Sequence, residues 1–193
     1  MTLHFPSMSD SDLFSLLSGA ERERAFSEIY GRYNRRVYAY CRTILGDSVR
    51  ADDVFQETFL SFLRSAERGT AVDNVLAYLL RIARNHCLNA KARERFVLDS
   101  EDVLDALSVQ PSVETDELHN VVRIALDVLP EHHREAVVLQ MYDEMSYEEI
   151  GVVMDVPVST VRNWVVRGKR RLRNVLSSYL GTDAPASIHQ REE

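Results

Sequence analysis

The sequence predicts an all-α protein: two small helical domains joined by an acidic linker, the C-terminal one containing a helix-turn-helix. Three observations lead to this fold class. Apolar residues recur at three- and four-residue steps through most of the 193-residue chain, and no segment alternates apolar and polar residues as a half-buried strand does. A stretch rich in carboxylates interrupts this periodicity near the middle. Residues 146–173 combine a short helix, a tight turn and a longer basic helix.

The first domain is predicted to span residues 10–96 and to contain three main helices. The first covers 21–45, where apolar residues fall on one helical face, and Gly46 ends it. The second runs through 52–65, and the third begins at 75 and continues to about 95.

An acidic linker is predicted at residues 97–117, because this stretch has seven acids and no base. It includes a predicted short helical turn at 103–107. The second domain, 118–180, begins with a helix that Pro130 ends, since the residue before a proline is pushed out of the helical region. Pro130 also suits the first position of the next helix.

The helix-turn-helix is predicted from local signals. Ser146 followed by Glu149 is a capping box, so a short helix begins at Tyr147 and runs to about Met154. The Asp-Val-Pro sequence at 155–157 breaks it. Ser159 is predicted to be the N-cap of the second helix, which carries an apolar face at helical spacing.

The charges are sorted along the chain. Net charge is −7, but residues 81–95 carry five bases against one acid, and residues 159–173 carry six bases and no acid. These two stretches together hold +10, which leaves −17 on the remainder. A single basic run is usually a solvated helix face. Two unbalanced runs in an acidic chain favour two anion-binding surfaces.

The second basic run lies on the second helix of the motif, the helix that enters the major groove of DNA in such motifs. Arg162 and Asn163 are near its N-terminus and have the donor geometry to bind guanine and adenine edges. The alternative is an ordinary helical hairpin with a basic exposed face. The remaining cations suit phosphates, where binding releases counterions, and they are Arg167, Lys169, Arg170, Arg171 and Arg173.

No catalytic or metal-binding arrangement is predicted. Cys41 and Cys87 are isolated from each other in the sequence, which favours reduced, buried small residues over a metal site. His132 and His133 are adjacent on a helix, so they are expected to point in different directions and to form no ligand pair. We therefore expect no enzyme activity, no metal and no cofactor.

A cytoplasmic location is expected from two absences. The N-terminal sequence MTLHFPSMSDSD lacks the basic start and apolar stretch of a signal peptide. No apolar run reaches the length of a membrane-spanning helix. The tails, residues 1–9 and 182–193, are predicted to be mobile.

The sequence resembles a known family in two separate blocks. LDVLPEHHREAVVLQMYDEMSYEEIGVVMDVPVSTVRNWVVRGKRRLR resembles the C-terminal promoter-binding domain of extracytoplasmic-function (ECF) sigma factors. ADDVFQETFLSFLRS and AYLLRIARNHCLNAKAR resemble the N-terminal domain of the same family. The blocks occur in the family's order and cover about residues 26–180.

The resemblance implies a protein that binds core RNA polymerase, directs it to promoter DNA and has an anti-sigma factor as a partner. The implied polymerase-binding residues are Asp53, Gln56 and Glu57. Those implied for the promoter −10 element are Tyr78, Arg81, Arg84, Asn85, Asn89, Lys91 and Arg93. Those implied for the −35 element are Ser159, Thr160, Arg162, Asn163, Arg167, Lys169 and Arg170.

Simpler structural roles remain open for two of these sets. For the acidic helix around Asp53, composition alone leaves a capped, solvated helix open, and Tyr78 is equally consistent with a core aromatic. Four features also depart from the family pattern, and one of them is the pair Ala92-Arg93 in place of the usual double Arg. Asp155 stands where the turn usually has Gly, Tyr78 replaces a frequent Trp, and Trp164 replaces a common basic residue and is expected to pack with an exposed edge.

Two other classes of function compete with a sigma factor. One is a free-standing helix-turn-helix regulator that uses only the second domain and does not act through core polymerase. The other is an interaction adaptor that binds polymerase or an inhibitor without contacting DNA. The block DDVFQET with RIARN argues against the first, and the basic helix argues against the second.

Overall fold

The computed structural model describes residues 4–100, 117–142 and 144–180, and every regular element in these ranges is helical. A 3-10 turn at Phe5–Ser7 precedes the α-helices. These are α1 (Asp10–Leu16), α2 (Arg22–Leu45), α3 (Ser48–Glu67), α4 (Val75–Ser100), α5 (Glu117–Asp127), α6 (Glu131–Tyr142), α7 (Tyr147–Met154) and α8 (Val158–Leu180). The predicted all-α class is confirmed. No helix within the described ranges is both long and apolar enough to cross a membrane.

The core of the first domain forms where α2, α3 and α4 pack against one another. Their apolar faces follow helical spacing, so each helix contributes one buried stripe. Among the largest side chains that are almost fully buried there are Ile29, Tyr40, Phe62, Leu79 and Leu80. The three predicted helices of this domain are therefore present.

α3 begins four residues earlier than predicted. α2 ends where Gly46 adopts a left-handed φ of 73°, and Asp47 then caps α3 by accepting a 2.8 Å hydrogen bond from the Val49 N–H. The cap sets the start at Ser48.

The segment before α2 is folded, contrary to the predicted mobile tail at residues 4–9. Phe5 is buried at 6% exposure, and the Arg24 guanidinium lies 4.5 Å from its ring centroid. Arg32 donates hydrogen bonds to the carbonyls of Phe5 and Pro6 and pairs with Asp10 at 2.8 Å. One arginine thus holds the 3-10 turn and α1 against α2. The predicted C-terminal tail lies outside the described residues.

The predicted linker is described only at its ends. α4 continues to Ser100, four residues past the predicted domain boundary, and α5 begins at Glu117. The predicted turn at 103–107 lies outside the described residues.

The helix-turn-helix has the local chemistry that the sequence predicts. Ser146 Oγ accepts from the Glu149 N–H at 3.2 Å, and the Glu149 carboxylate accepts from the Ser146 N–H at 2.8 Å. α7 spans the predicted residues, and Asp155 ends it with φ 57° and ψ 50°, the left-handed conformation that aspartate tolerates.

α8 begins two residues earlier than predicted, because an N-cap at Ser159 would make Thr160 its first residue, whereas the helix begins at Val158. The Pro157 carbonyl accepts hydrogen bonds from the N–H groups of Thr160 and Val161, so Ser159 lies inside the first turn and is not the N-cap. Proline cannot cap with a side chain, so the sequence signal pointed to the nearest residue that can.

The two domains are in contact in this structure. α7 packs against α4, and α6 packs against α2. The second domain has its own core between α6, α7 and α8, which includes Val137, Leu139, Ile150, Val161 and Val165.

Candidate nucleic-acid interface

The outward face of α8 carries the residues predicted to contact the bases of duplex DNA. Arg162, Asn163 and Ser159 are exposed, and Thr160 is half-buried. On the opposite face Val161 is fully buried, and Val165 nearly so. Burial of one face therefore fixes which side chains point away from the protein at the N-terminal end of this helix.

The cations of α8 are available for phosphate contacts. Arg167, Arg170, Arg171 and Arg173 are exposed and Lys169 is half-buried. None of the salt bridges formed among the described residues involves any of these five, nor Arg162. The helix therefore presents a positive surface that no carboxylate of the described chain neutralises.

Gly168 brings α8 close to α6. A Cβ atom at this position would lie 2.6 Å from Val137 Cγ2 and 3.3 Å from the His133 carbonyl oxygen. No larger residue fits without movement of α6, because Val137 is almost fully buried. This close contact sets how far α8 projects from the domain.

The histidine pair differs from the prediction. His132 and His133 were expected to point apart, but their ring centroids lie 4.7 Å apart, and His132 is also 4.7 Å from Trp164. Burial, His132 and the nearby Arg167 and Arg171 lower the pKa of His133. Trp164 is half-buried, as its predicted packing with an exposed edge requires. No group of metal-binding side chains occurs among the residues the structure describes.

One face of α4 is open to solvent along the length of the predicted −10 segment. Arg81, Asn85, Asn89 and Arg93 are all exposed and follow one another at four-residue steps, so they lie along one side of the helix. Two amides and two guanidiniums in this order can bind both the bases and the phosphates of a separated strand.

Two further cations of α4, Arg84 and Lys91, face the second domain. Arg84 Nε lies 2.7 Å from a Glu135 carboxylate oxygen, and Lys91 Nζ lies 2.6 Å from a Glu131 oxygen. Both acids are on α6. The sequence places these residues 51 and 40 positions apart, and no local signal indicated that they meet.

Tyr78 is part of an aromatic group at the start of α4. Its ring centroid is 6.4 Å from that of Phe14 and 6.3 Å from that of Phe62. Phe14 and Phe62 are buried and Tyr78 is half-buried. Contact with α1 and α3 thus occupies part of the ring that was predicted to stack on a base.

The predicted polymerase-binding residues lie on the solvent face of α3. Asp53 and Gln56 are exposed, whereas the Glu57 carboxylate accepts a 2.8 Å hydrogen bond from Arg64, which lowers its pKa. Sequence reasoning missed two apolar neighbours on the same helix. Val49 is 69% exposed and Leu60 48% exposed.

The two cysteines meet in the core, although they are far apart in the sequence. Both are buried free thiols, as predicted. Cys87 on α4 is hydrogen-bonded to Cys41 on α2, and this contact together with burial raises the pKa of the Cys87 thiol. The expectation that they are isolated from each other holds for the sequence only. With its neutral form favoured, the buried Cys87 thiol acts as a packing group.

Two family models match the chain in order. The Sigma-70 region 2 model matches residues 29–97, and the Sigma-70 region 4 model matches residues 120–172. RNA polymerase sigma factor CarQ of Myxococcus xanthus is 31% identical over 155 residues, covering 79% of this chain and 89% of that protein. ECF RNA polymerase sigma factor SigW of Bacillus subtilis is 29% identical over 166 residues with the same coverage.

Two solved structures share the fold. The sigma factor RpoE from Bartonella quintana, in complex with the anti-sigma factor NepR, has a TM-score of 0.68 at 22% identity, covering 80% of this chain and 98% of that one. CnrH, in complex with the cytosolic domain of CnrY, has a TM-score of 0.66 at 20% identity, covering 88% of this chain and 99% of that one.

Proposed function

This chain belongs to the ECF subfamily of bacterial RNA polymerase sigma factors, and from that premise we propose which of its surfaces carries each step of initiation. As a sigma factor it binds core RNA polymerase and directs promoter-specific transcription initiation. It is a DNA-binding initiation factor, and we assign it no catalytic step of its own. Its place of action is the cytoplasm, where polymerase and chromosome are found.

The exposed side of α3 is the proposed contact with core polymerase. Asp53 and Gln56 present a charge and an amide to solvent, and the Glu57 side chain is 42% exposed. The exposed side chains of Val49 and Leu60 support this assignment, because polar contacts flanked by apolar area are typical of protein interfaces.

The proposed −10 surface is α4. Its solvent face offers Arg81, Asn85, Asn89 and Arg93 to a separated strand, and Arg84 and Lys91 add cations on the neighbouring side. Asparagine amides can hydrogen-bond an extruded base, and the cations bind its phosphates. Tyr78 contributes the accessible part of its ring at the N-terminal end of the same helix.

The proposed −35 surface is α8. The observation that carries it is the exposure of Arg162 and Asn163 next to a left-handed turn at Asp155, with cations beyond them that form no ion pair among the described residues. Arg162 and Asn163 contact base edges, with Ser159 and Thr160 beside them. The phosphate contacts come from Arg167, Lys169 and Arg170.

An anti-sigma factor is the proposed inhibitory partner. The solved structure of RpoE that shares this fold is a complex with the anti-sigma factor NepR, and that of CnrH is a complex with the cytosolic domain of CnrY. A partner of this kind would act by covering the α3, α4 or α8 surface.

A runoff transcription assay with core polymerase and a library of promoter templates tests the function. The full chain should produce transcripts from a subset of templates that share two spaced sequence elements. A matched variant with Arg162, Arg167, Lys169 and Arg170 changed to Ala should produce none. Duplex binding by the chain without any chain-dependent transcript would instead favour a free-standing regulator.

A further inference from the structure

The carboxylate of Glu135 is buried at the contact between the two domains. Its residue is only 4% exposed. Tyr40 Oη on α2 donates a 2.6 Å hydrogen bond to it, and Arg84 Nε on α4 donates one of 2.7 Å. Every described partner of this carboxylate therefore comes from the other domain.

Two further contacts extend the same boundary. Lys91 Nζ on α4 lies 2.6 Å from a Glu131 oxygen, one turn before Glu135 on α6. Asn74, just before α4, donates a 2.7 Å hydrogen bond to Glu149 on α7. We call the contacts of Glu131, Glu135 and Glu149 with the first domain the docking contacts.

The docking contacts stabilise one specific arrangement of the domains. A buried carboxylate is costly unless donors satisfy it, and removing those donors leaves an unpaired charge in a poorly solvated site. Glu135 receives both its donors only while α6 lies against α2 and α4. Separation of the domains must therefore rehydrate Glu135, Arg84 and Tyr40 together.

The same two cations are assigned to single-stranded DNA in the function proposed above, on which this inference rests. A carboxylate and a phosphate are both anionic oxygen acceptors for Arg and Lys. The one N–H of Arg84 Nε is occupied by Glu135, and Glu131 occupies one donor of Lys91 Nζ, so both cations are paired with carboxylates that compete with a DNA phosphate. We propose that Glu135 and Glu131 act as an internal substitute for promoter phosphates, so that docking of the second domain closes the −10 surface and DNA binding there requires undocking.

Docking affects the α4 surface and leaves the α8 surface accessible. The cations of α8 form no ion pair among the described residues in this docked arrangement, and Arg162 and Asn163 stay exposed. Duplex contacts through α8 are therefore independent of the docking contacts. In the docked chain, binding of single-stranded DNA to α4 is inhibited, whereas binding of duplex DNA to α8 is not.

The test compares the full chain carrying Glu131→Gln and Glu135→Gln with the wild type. The control variant, Glu144→Gln with Glu148→Gln, makes the same charge change at exposed positions of the same domain. The probes are a randomised single-stranded DNA 12-mer and a randomised 20-bp duplex. Small-angle X-ray scattering gives the radius of gyration of each free chain.

We expect the docking variant to bind the single strand about tenfold more tightly than the control variant and to expand measurably, with equal duplex affinity for both. Glu131→Gln alone, at a partly exposed position, should give a smaller gain of about threefold and guards against a folding defect at Glu135. A docking variant that matches the control on the single strand, or that gains on both probes equally, overturns the proposal. Expansion without a gain in single-strand affinity overturns it as well.

The function assigned to α4 is tested separately. Holoenzyme that contains Arg84→Ala with Lys91→Ala should lose most of its runoff transcription. Wild-type transcription by that holoenzyme would overturn the −10 assignment itself, on which the inference depends. Lost transcription together with no gain for the docking variant would overturn only the inhibitory role of docking.

Discussion

Tyr40 and Glu135 lie 95 positions apart in the chain, and the Tyr40 hydroxyl donates a 2.6 Å hydrogen bond to the Glu135 carboxylate across the domain boundary. Burial and this carboxylate raise the pKa of Tyr40 well above its ordinary value, so the hydroxyl remains a donor. The bond links the core of the first domain to α6 in the second. The stability of the first domain therefore depends in part on whether α6 of the second domain lies against it.

Tyr40→Phe is expected to lower the free energy of unfolding by about 1–3 kcal/mol, because it leaves a buried carboxylate with one donor fewer while keeping the ring. Urea unfolding followed by circular dichroism measures this. The control is Tyr33→Phe, which removes a hydroxyl bonded to Asp10, a half-buried acid that keeps its Arg32 partner. An equal loss of unfolding free energy in both variants would show that the hydrogen bond to Glu135 contributes no more to stability than the hydrogen bond to Asp10.

Gly168→Ala should destabilise the second domain by about 1–3 kcal/mol, because the new Cβ would lie 2.6 Å from Val137 Cγ2. Gly31 on α2 provides the control, since nothing lies within 4 Å of a Cβ there. Gly31→Ala should stabilise by about 0.5–1 kcal/mol through helix propensity. Adding Val137→Ala to Gly168→Ala should recover part of the loss in thermal unfolding; no recovery would contradict a steric cause.

The capping box of α7 should lose strength in acid. Hydrogen bonds from the Ser146 backbone and then from the Ser146 and Asn74 side chains lower the pKa of Glu149 below its ordinary 4.5. A carboxyl whose pKa is lower when folded contributes its stability above the unfolded pKa and loses it as pH falls through the folded value. Unfolding free energy measured from pH 6 to pH 3 should therefore fall less steeply in Glu149→Gln than in the wild type. Parallel curves would contradict this.

Where capping side chains mark a helix end, its boundary could be predicted at the correct residue. α7 follows directly from Ser146 and Glu149, because both halves of a capping box lie within four positions. The start of α8 was missed by two residues, because its N-cap is Pro157, which has no capping side chain. The 3-10 turn at Phe5 carried no periodic signal, and its position depends on Arg32, a residue 27 positions later.

Long-range pairs could not be predicted from the sequence. Arg84 and Lys91 were predicted to bind DNA, and the sequence did not reveal that the acids that bind them in this structure are on α6, in the second domain. The Cys41–Cys87 contact is another case, since spacing along two different helices does not reveal that they cross there. Such pairs depend on how whole helices pack.

Arg162→Ala is expected to relax discrimination at one promoter position and to cost about 1–3 kcal/mol of specific binding, since a forked base contact is lost. Lys169→Ala should weaken binding to all duplexes alike and reduce the salt dependence, because it removes a phosphate contact. Affinities for cognate and scrambled duplex, measured at several salt concentrations, separate the two. Equal losses on both duplexes for both variants would rule out Arg162 as a base-contacting residue.

The α3 surface should be separable from DNA binding. Changing Asp53, Gln56 and Glu57 to Ala is expected to abolish association with core polymerase, because it deletes two charges and an amide whose partner groups would be left unsatisfied. These three residues lie outside the second domain, so the affinity of the full chain for promoter duplex should change little. A control with Glu23 and Asp73 changed to Ala removes two exposed charges elsewhere on the same domain and should bind polymerase normally. Capture of core polymerase at wild-type strength by the triple variant would show that α3 is not the polymerase contact, and loss of capture by the control would show that net charge decides the association.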